Sequence, residues 1–88
     1  MQFQFYIKDQ EEKIFKLCEI YEYKYRCYGS GVTAKQMMDY GELYPYLVFF
    51  TNEKGLGGNT NYNPIYGELI LSFKKLKETL KYCNKFGE

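Results

Sequence analysis

The sequence contains no histidine and no tryptophan. Without histidine, it lacks the side chain that most often acts as a general base and most often binds metal ions. A Ser-His-Asp arrangement and a Cys/His nucleophile pair are therefore excluded. The three cysteines, Cys18, Cys27 and Cys83, show no C-x-x-C spacing, which removes the usual zinc sites. Because no pair of carboxylates has a spacing that requires proximity either, we expect a non-catalytic protein with no cofactor and no metal.

An excess of charge of either sign is also missing. Twelve basic residues face eleven acidic ones, for a formal net charge of +1. Non-specific nucleic-acid binding depends on phosphate neutralisation by a basic surface, and mimicry of nucleic acid depends on an acidic one. The chain as a whole is therefore neither basic nor acidic. The net charge does not exclude a local basic patch.

Long apolar runs are absent as well. No run approaches the ~20 residues that span a membrane, and the N-terminal residues lack a basic region followed by an apolar core. We therefore predict a protein that is neither exported nor embedded in a membrane. In a reducing cytoplasm the three cysteines are expected to be free thiols, with Cys18 and Cys83 packed in the core.

What the chain does contain is a regular alternation of strand and helix patterns over a single domain, residues 1–88. Residues 1–7 alternate as a half-buried strand, and a helix follows from a cap at Asp9. Residues 21–27 return to the period of a strand, and residues 46–50 and 68–72 form two more. Thr33 caps a short helix, and residues 73–85 form the last one. The order β-α-β-(short α)-β-β-α predicts an α+β, two-layer domain with a mostly antiparallel sheet and helices packed on one face.

Aromatic residues are abundant, with eleven tyrosines and seven phenylalanines. Tyr21, Tyr23 and Tyr25 fall on one face of the second predicted strand. Tyrosine is enriched at binding surfaces because it is large, rigid and amphipathic. We expect these three residues to form an interface with a protein partner or a second copy. Packing within a half-buried sheet is the alternative, and both interpretations stay open.

The longest irregular stretch predicted is 52–66, which is rich in glycine and asparagine. Glycines let a backbone approach a ligand closely, and consecutive free N–H groups hold anions. Irregular connections of this length are uncommon in compact domains and are often functional. The alternative is a long hairpin connection whose glycines and asparagines only supply positive φ angles. The ligand-binding candidates in this segment are Lys54, Gly57, Gly58, Asn59, Tyr62 and Tyr66.

A second candidate anion site lies at the start of the last predicted helix. Ser72 is expected to cap it, and Lys74 and Lys75 occupy the first turn, where the helix dipole disfavours cations. Cations beside free N–H groups are suited to binding an anion. Arg26, on the second predicted strand, and Lys54 are candidates to converge there. A solvated lysine face is the alternative.

Several segments together resemble small uncharacterised proteins encoded by bacteriophages and mobile elements. The similar segments are Phe5-x-Ile7-Lys8-x-x-Glu11-Glu12, Ser30-Gly31 after a strand, Tyr44-Pro45-x-Leu47-Val48 and Leu71-Ser72-Phe73-x-x-Leu76-Lys77. The chain departs from that group in having Tyr23-Lys24-Tyr25 where an aromatic-Lys-Trp strand is typical. The resemblance implies a setting in the cytoplasm of a bacterial host, where many such proteins antagonise host defences.

Two functions are compatible with that setting. In the first, the protein sequesters a small anionic, nucleotide-like signal: the glycine-rich segment contacts phosphate, lysines neutralise it, and Tyr62 and Tyr66 stack on the base. In the second, it inhibits a host defence enzyme or nuclease complex, as anti-CRISPR proteins do, through a tyrosine-rich surface. Homo-oligomerisation is compatible with both, and a membrane partner with neither.

Overall fold

The computed structural model describes residues 1–25, 31–39 and 44–86. These residues form five strands, three α-helices and one 3₁₀ turn. In chain order the elements are β1 (Gln2–Tyr6), α1 (Glu11–Ile20), β2 (Lys24–Tyr25), α2 (Ala34–Asp39), β3 (Tyr46–Phe50), β4 (Gly55–Asn59), the 3₁₀ turn (Pro64–Tyr66), β5 (Glu68–Ile70) and α3 (Phe73–Phe86). Within the described residues, no helix is long and apolar enough to cross a bilayer.

The five strands form one mixed sheet in the order β2-β4-β3-β1-β5. β3 is antiparallel to β1 and to β4, whereas β5 is parallel to β1 and β2 is parallel to β4. The predicted α+β class is confirmed, but the prediction of a mostly antiparallel sheet is wrong. The difference arises because residues 60–67 cross the sheet after β4 and deliver β5 to the far edge of β1, in the same direction as β1.

The hydrophobic core lies on one face of the sheet, which we call the inner face. Alternate strand residues Phe3 and Phe5 of β1 and Leu47 and Phe49 of β3 belong to one cluster of buried side chains. The helices contribute to the same cluster through the residues Ile14, Phe15, Leu17, Cys18, Ala34, Met37, Leu76, Leu80 and Cys83. All three helices therefore cover the inner face.

The helix starts show which capping predictions hold. Ser72 Oγ accepts a hydrogen bond from the Lys75 N–H at 3.1 Å, so the predicted cap of α3 is confirmed. Thr33 and Gln36 form a reciprocal capping box at α2, with the Gln36 N–H donating to Thr33 Oγ1 and the Thr33 N–H donating to Gln36 Oε1. The predicted cap at Asp9 is wrong, because α1 starts after Gln10 and Asp9 instead turns the chain with φ of 67°.

The segment expected to be a glycine-rich loop contains the strand β4, and this is the main correction to the predicted element order. Gly55–Asn59 pairs with β3 residue by residue, and neither Gly57 nor Gly58 has a positive φ. A Cβ atom on Gly57 would lie 3.1 Å from the Phe50 ring, and one on Gly58 would lie 3.1 Å from Tyr44 Cβ. The two glycines therefore make space for aromatic side chains within a sheet, and the expectation that they turn the chain is wrong.

Candidate binding surface

The face of the sheet opposite the helices, which we call the outer face, carries a continuous set of aromatic and amide side chains. Its strand residues alternate with those of the core: Gln2, Gln4 and Tyr6 on β1, Tyr46, Val48 and Phe50 on β3, and Gly57 and Asn59 on β4. Val48 is almost fully buried yet lies outside the main core cluster, so side chains on the outer face itself must cover it.

Two tyrosines lie side by side at one end of this face. Tyr6 and Tyr46 are opposite each other in the β1–β3 register, and their ring centroids are 5.0 Å apart at an interplanar angle of 57°. Such tilted aromatic pairs are favourable beyond the area they bury. Tyr6 keeps 40% of its surface exposed, so the pair presents an open ring surface to a partner.

A groove of about 620 Å³ occupies the other end of the outer face. Phe50 and Gln2 form its floor, and Pro64 and Ile65 of the 3₁₀ turn form a wall. Phe50 is held in place because Gly57 leaves room for its ring. Ile65, which is 75% exposed, borders this groove with its aliphatic side chain.

Gln4 joins the outer face to residues 60–67, which cross it. Its Nε2 donates to the carbonyl oxygens of Asn63 at 2.8 Å and Gly67 at 2.9 Å. Asn63 Oδ1 in turn accepts from the Ile65 N–H at 3.1 Å, which fixes the start of the 3₁₀ turn. Gln4 is fully buried, and its Oε1 has no hydrogen-bond partner among the described residues. One amide group thus positions both the crossing segment and Ile65.

The residues predicted to bind a small anion do not come together. Lys54 Nζ donates to Asn84 Oδ1 at 3.2 Å, which places Lys54 near the C-terminal end of α3. Lys74 and Lys75 lie at the opposite end of that helix, roughly 14 Å away along its axis at 1.5 Å per residue. Arg26 lies outside the described residues.

The remaining predicted ligand-binding residues are spread over β4 and the crossing segment. Gly57 and Gly58 are central residues of β4 and contact aromatic side chains, and Asn59 is opposite Tyr46 in the sheet. Tyr62 is exposed in the crossing segment and Tyr66 is half-buried in the 3₁₀ turn. Gly57 and Asn59 lie on the outer face and Gly58 lies on the inner face, opposite Leu47. Lys74 and Lys75 belong to α3, and Lys54 is hydrogen-bonded to it.

The tyrosines predicted to form an interface are mostly part of the core. Tyr23 and Tyr25 are only 4% and 2% exposed, and Tyr23 packs edge-on against Phe49 with centroids 5.5 Å apart. Tyr21 is half-buried against the same cluster. Side chains buried in this way are not accessible to a partner, so the interface prediction for Tyr23 and Tyr25 is corrected in favour of core packing.

The outer-face residues were missed because the sequence pattern alone assigns them to solvent. The alternation of β1 marks Gln4 and Tyr6 as polar positions, and β3 is apolar at every residue, so that neither of its faces stands out. One signal was present in the sequence: the run 55–67 has no charged residue among its thirteen positions. A surface segment without charge is suited to contact with another macromolecule.

Two observations concern metal binding and thiol chemistry in the described residues. They contain no group of three or more acidic, cysteine or histidine side chains arranged to hold a metal ion. Burial raises the pKa of the Cys18 thiol to about 12, which makes it a poor nucleophile. Burial, together with the neighbouring Cys83 and Cys18 thiols, also raises the pKa of Tyr23.

These two shifts predict a loss of stability in alkali. A group whose pKa is higher in the folded state stabilises the fold below its unfolded pKa and loses that contribution as the pH rises through the folded value. For Cys18 the window runs from about pH 9 to about pH 12, with a slope of up to about 1.4 kcal/mol per pH unit. Urea unfolding at a series of pH values should therefore show a falling free energy of unfolding over this window.

The contribution of Tyr23 can be separated by a matched pair of variants. Tyr23→Phe should make the decline above pH 10 shallower, because the buried hydroxyl can no longer ionise. Tyr82→Phe removes a hydroxyl from a side chain that is half exposed on α3, and should leave the decline as in wild type. Equal pH profiles for the two variants would contradict the assignment.

No family model, curated protein or solved structure matches the chain.

Proposed function

We propose that this chain is a non-catalytic binding protein that holds a partner protein on its outer face, and that it acts as an inhibitor of a host defence enzyme or nuclease complex. The observation that carries the proposal is the outer face itself. It combines the exposed Tyr6–Tyr46 pair, the groove beside Phe50 and the exposed Ile65, and the thirteen residues 55–67 bring no charge to it. Aromatic enrichment with charge depletion is typical of the centre of protein interfaces.

The chemistry of the face specifies what kind of protein surface fits. The groove between Phe50 and Ile65 suits an aliphatic or aromatic side chain, the type of anchor that supplies most of the energy of an interface. The amides of Gln2, Asn52 and Asn59 border the face and can exchange hydrogen bonds with backbone groups of the partner. Glu53 also lines the groove, so the partner's surface is mainly uncharged where it meets the Tyr6–Tyr46 pair, and it carries at least one protruding apolar side chain.

Capture of a nucleotide-like signal is less well supported by the same geometry. Tyr6 and Tyr46 provide a ring surface on which a base can stack. A phosphate, however, needs cations nearby. Lys54 is held at the C-terminal end of α3, and Lys75 lines a cavity with Gln2, at the opposite end of β1 from Tyr6. We therefore treat nucleotide capture as the outcome that would replace this proposal.

The proposal is tested by a charge placed in the groove wall. Ile65→Asp should weaken the binding of the partner by about 30-fold, the effect of losing ~2 kcal/mol at an interface hot spot. The partner is first recovered from a host lysate with the tagged wild-type chain, and the affinity is then measured with both proteins purified. Tyr6→Ala should have an effect of similar size.

Ile20→Asp is the matched control, because Ile20 is an isoleucine of similar exposure, 70% against 75%, on α1 in the helix layer. It should change the affinity by less than about twofold, as expected of surface changes outside an interface. An equal loss in both aspartate variants, or none in either, would rule out the outer face. Recovery of an intact nucleotide from protein that was incubated with a cyclic-nucleotide panel and then boiled would favour the sequestering function instead.

A further inference from the structure

The exposed side of α3 carries four lysines in one line, which we call the lysine row: Lys74, Lys77, Lys81 and Lys85. Their spacing of three, four and four residues places them within about 80° of one another around the helix, at roughly 100° per residue. All four are exposed. The row is about 16 Å long at 1.5 Å per residue, and it lies in the helix layer, on the opposite side of the sheet from the outer face.

Two further lysines from other elements extend the row. Lys13 of α1 and Lys77 both place their ammonium groups over the Phe73 ring, at 4.6 and 5.6 Å from its centroid. At the other end, Lys54 approaches α3 through its hydrogen bond to Asn84. Among the described residues, no acidic side chain is paired with any of these six lysines. Six cations thus share one surface in a chain whose formal net charge is only +1.

This arrangement is unfavourable for the helix on its own. Like charges four residues apart, as in Lys77–Lys81 and Lys81–Lys85, destabilise a helix, whereas alternating Glu and Lys would stabilise it. Lys74 adds a cation in the first turn, where the helix dipole disfavours it. Glu78 is the one acidic residue within α3, and it offsets part of this repulsion because it lies four residues after Lys74 and three before Lys81. Lys13 and Lys54 add two more cations from outside α3 to the same surface.

We propose that the lysine row binds the sugar–phosphate backbone of a nucleic acid without reading its base sequence. A linear series of ammonium groups, one for each helical turn, complements the regular charge of a polynucleotide, which in a duplex is one per about 1.7 Å of axis. Lysine neutralises phosphate as a point charge, and contacts to the backbone carry no sequence information. This surface is independent of the outer face, so a partner protein and a nucleic acid can be bound at once.

The test measures binding to 20-residue single-stranded DNA, duplex DNA and duplex RNA by fluorescence anisotropy between 50 and 300 mM NaCl. With four to six phosphates neutralised, the slope of log Kobs against log [NaCl] should lie between about −3 and −5. The double variant Lys77→Gln/Lys81→Gln should reduce the slope by about 1.4 to 1.8 and weaken binding at 50 mM salt at least about 10-fold. Comparison of the three affinities shows whether the protein prefers DNA or RNA, and whether it prefers single-stranded or duplex DNA.

The matched control is Lys16→Gln/Lys35→Gln, which removes the same charge from two lysines that line the groove between α1 and α2 and are not members of the row. It should retain wild-type affinity within about twofold, and both double variants should melt within a few degrees of wild type. Three results would overturn the proposal: no salt-dependent binding to any probe, equal loss in the two double variants, or stronger competition by poly-glutamate than by nucleic acid. Ile65→Asp should leave nucleic-acid binding unchanged, so this test fails or succeeds separately from that of the outer face.

Discussion

Replacing Gly67 with alanine should lower the free energy of unfolding by about 3 kcal/mol or more, the combined effect of backbone strain and overlap with neighbouring atoms. Gly67 has φ of 99°, a region that other residues rarely adopt. A Cβ atom at this position would also overlap the carbonyl group of Gln2, which is part of the backbone of β1 and is fixed by the sheet. Since small domains have only about 0.05–0.15 kcal/mol of stability per residue, such a loss is a large share of the total.

Gly31→Ala separates the two causes of this loss. Gly31 also has a positive φ, of 78°, but a Cβ there would meet only the flexible side chain of Lys24, at 3.4 Å. Strain alone should therefore cost Gly31→Ala roughly 1 kcal/mol. Urea unfolding of the two variants measures both effects. If Gly67→Ala is as stable as Gly31→Ala, or more stable, then residue 67 does not approach β1 as closely as described.

Replacing Gln4 with glutamate should be similarly severe, at about 3–5 kcal/mol near neutral pH. The buried Nε2 that donates to two carbonyl oxygens would become an oxygen facing them. Ionisation would place a negative charge at a fully buried position, so burial should raise the pKa of the new carboxyl group. The stability of the variant should then rise as the pH falls, because the neutral acid carries no charge and can donate to one of the carbonyls.

Gln2→Glu is the control for this prediction, since Gln2 lies two residues earlier on β1 with its side chain exposed. It should unfold within about 0.5 kcal/mol of wild type at neutral pH, as surface substitutions usually do. The measurement is a series of urea unfolding curves between pH 4 and pH 8. A Gln4→Glu variant as stable as Gln2→Glu at pH 7 would mean that Gln4 does not hold residues 63 and 67.

The elements that were predicted correctly are those whose apolar residues recur at a fixed spacing. In α1 and α3 the buried residues Ile14, Leu17 and Cys18, and Leu76, Leu80 and Cys83, follow the helical period. β3 was predicted because an apolar run of five residues after a proline has few other structures open to it. Capping side chains located the starts of α2 and α3, because their hydrogen bonds reach only three residues along the chain.

β4 could not be predicted because it lacks the side chains that normally identify a strand. Leu56 alone supplies an inner-face residue that joins the core. The position of Gly57 is filled by the ring of Phe50, and that of Gly58 borders Tyr44. Glycine is depleted in strands because it offers nothing to pack. Only the register with β3 shows that aromatic side chains on the neighbouring strand fill the space.

The candidate surfaces depend on contacts between residues far apart in the chain, which no local pattern reveals. Gln4 is buried because residues 63 and 67 cross over it. The sequence shows that several lysines of α3 lie off its apolar stripe. That Lys13 and Lys54 lie near these lysines depends on how α1 and the turn before β4 pack against α3. The predicted convergence of Lys54 with Lys74 and Lys75 failed for the same reason, since α3 holds them at opposite ends.

The position of β1 within the sheet has a consequence for the time course of folding. Its neighbours are β3 and β5, so that Gln2 meets Phe50 and Phe3 meets Glu68. One edge of β1 must therefore stay unpaired until residues 46–50 have been synthesised, and the other edge until residues 68–70 have followed. Long-range pairing of this kind slows folding and leaves apolar segments open to aggregation in the interval. Phe3 and Phe5, which are buried in the folded sheet, stay uncovered during this interval.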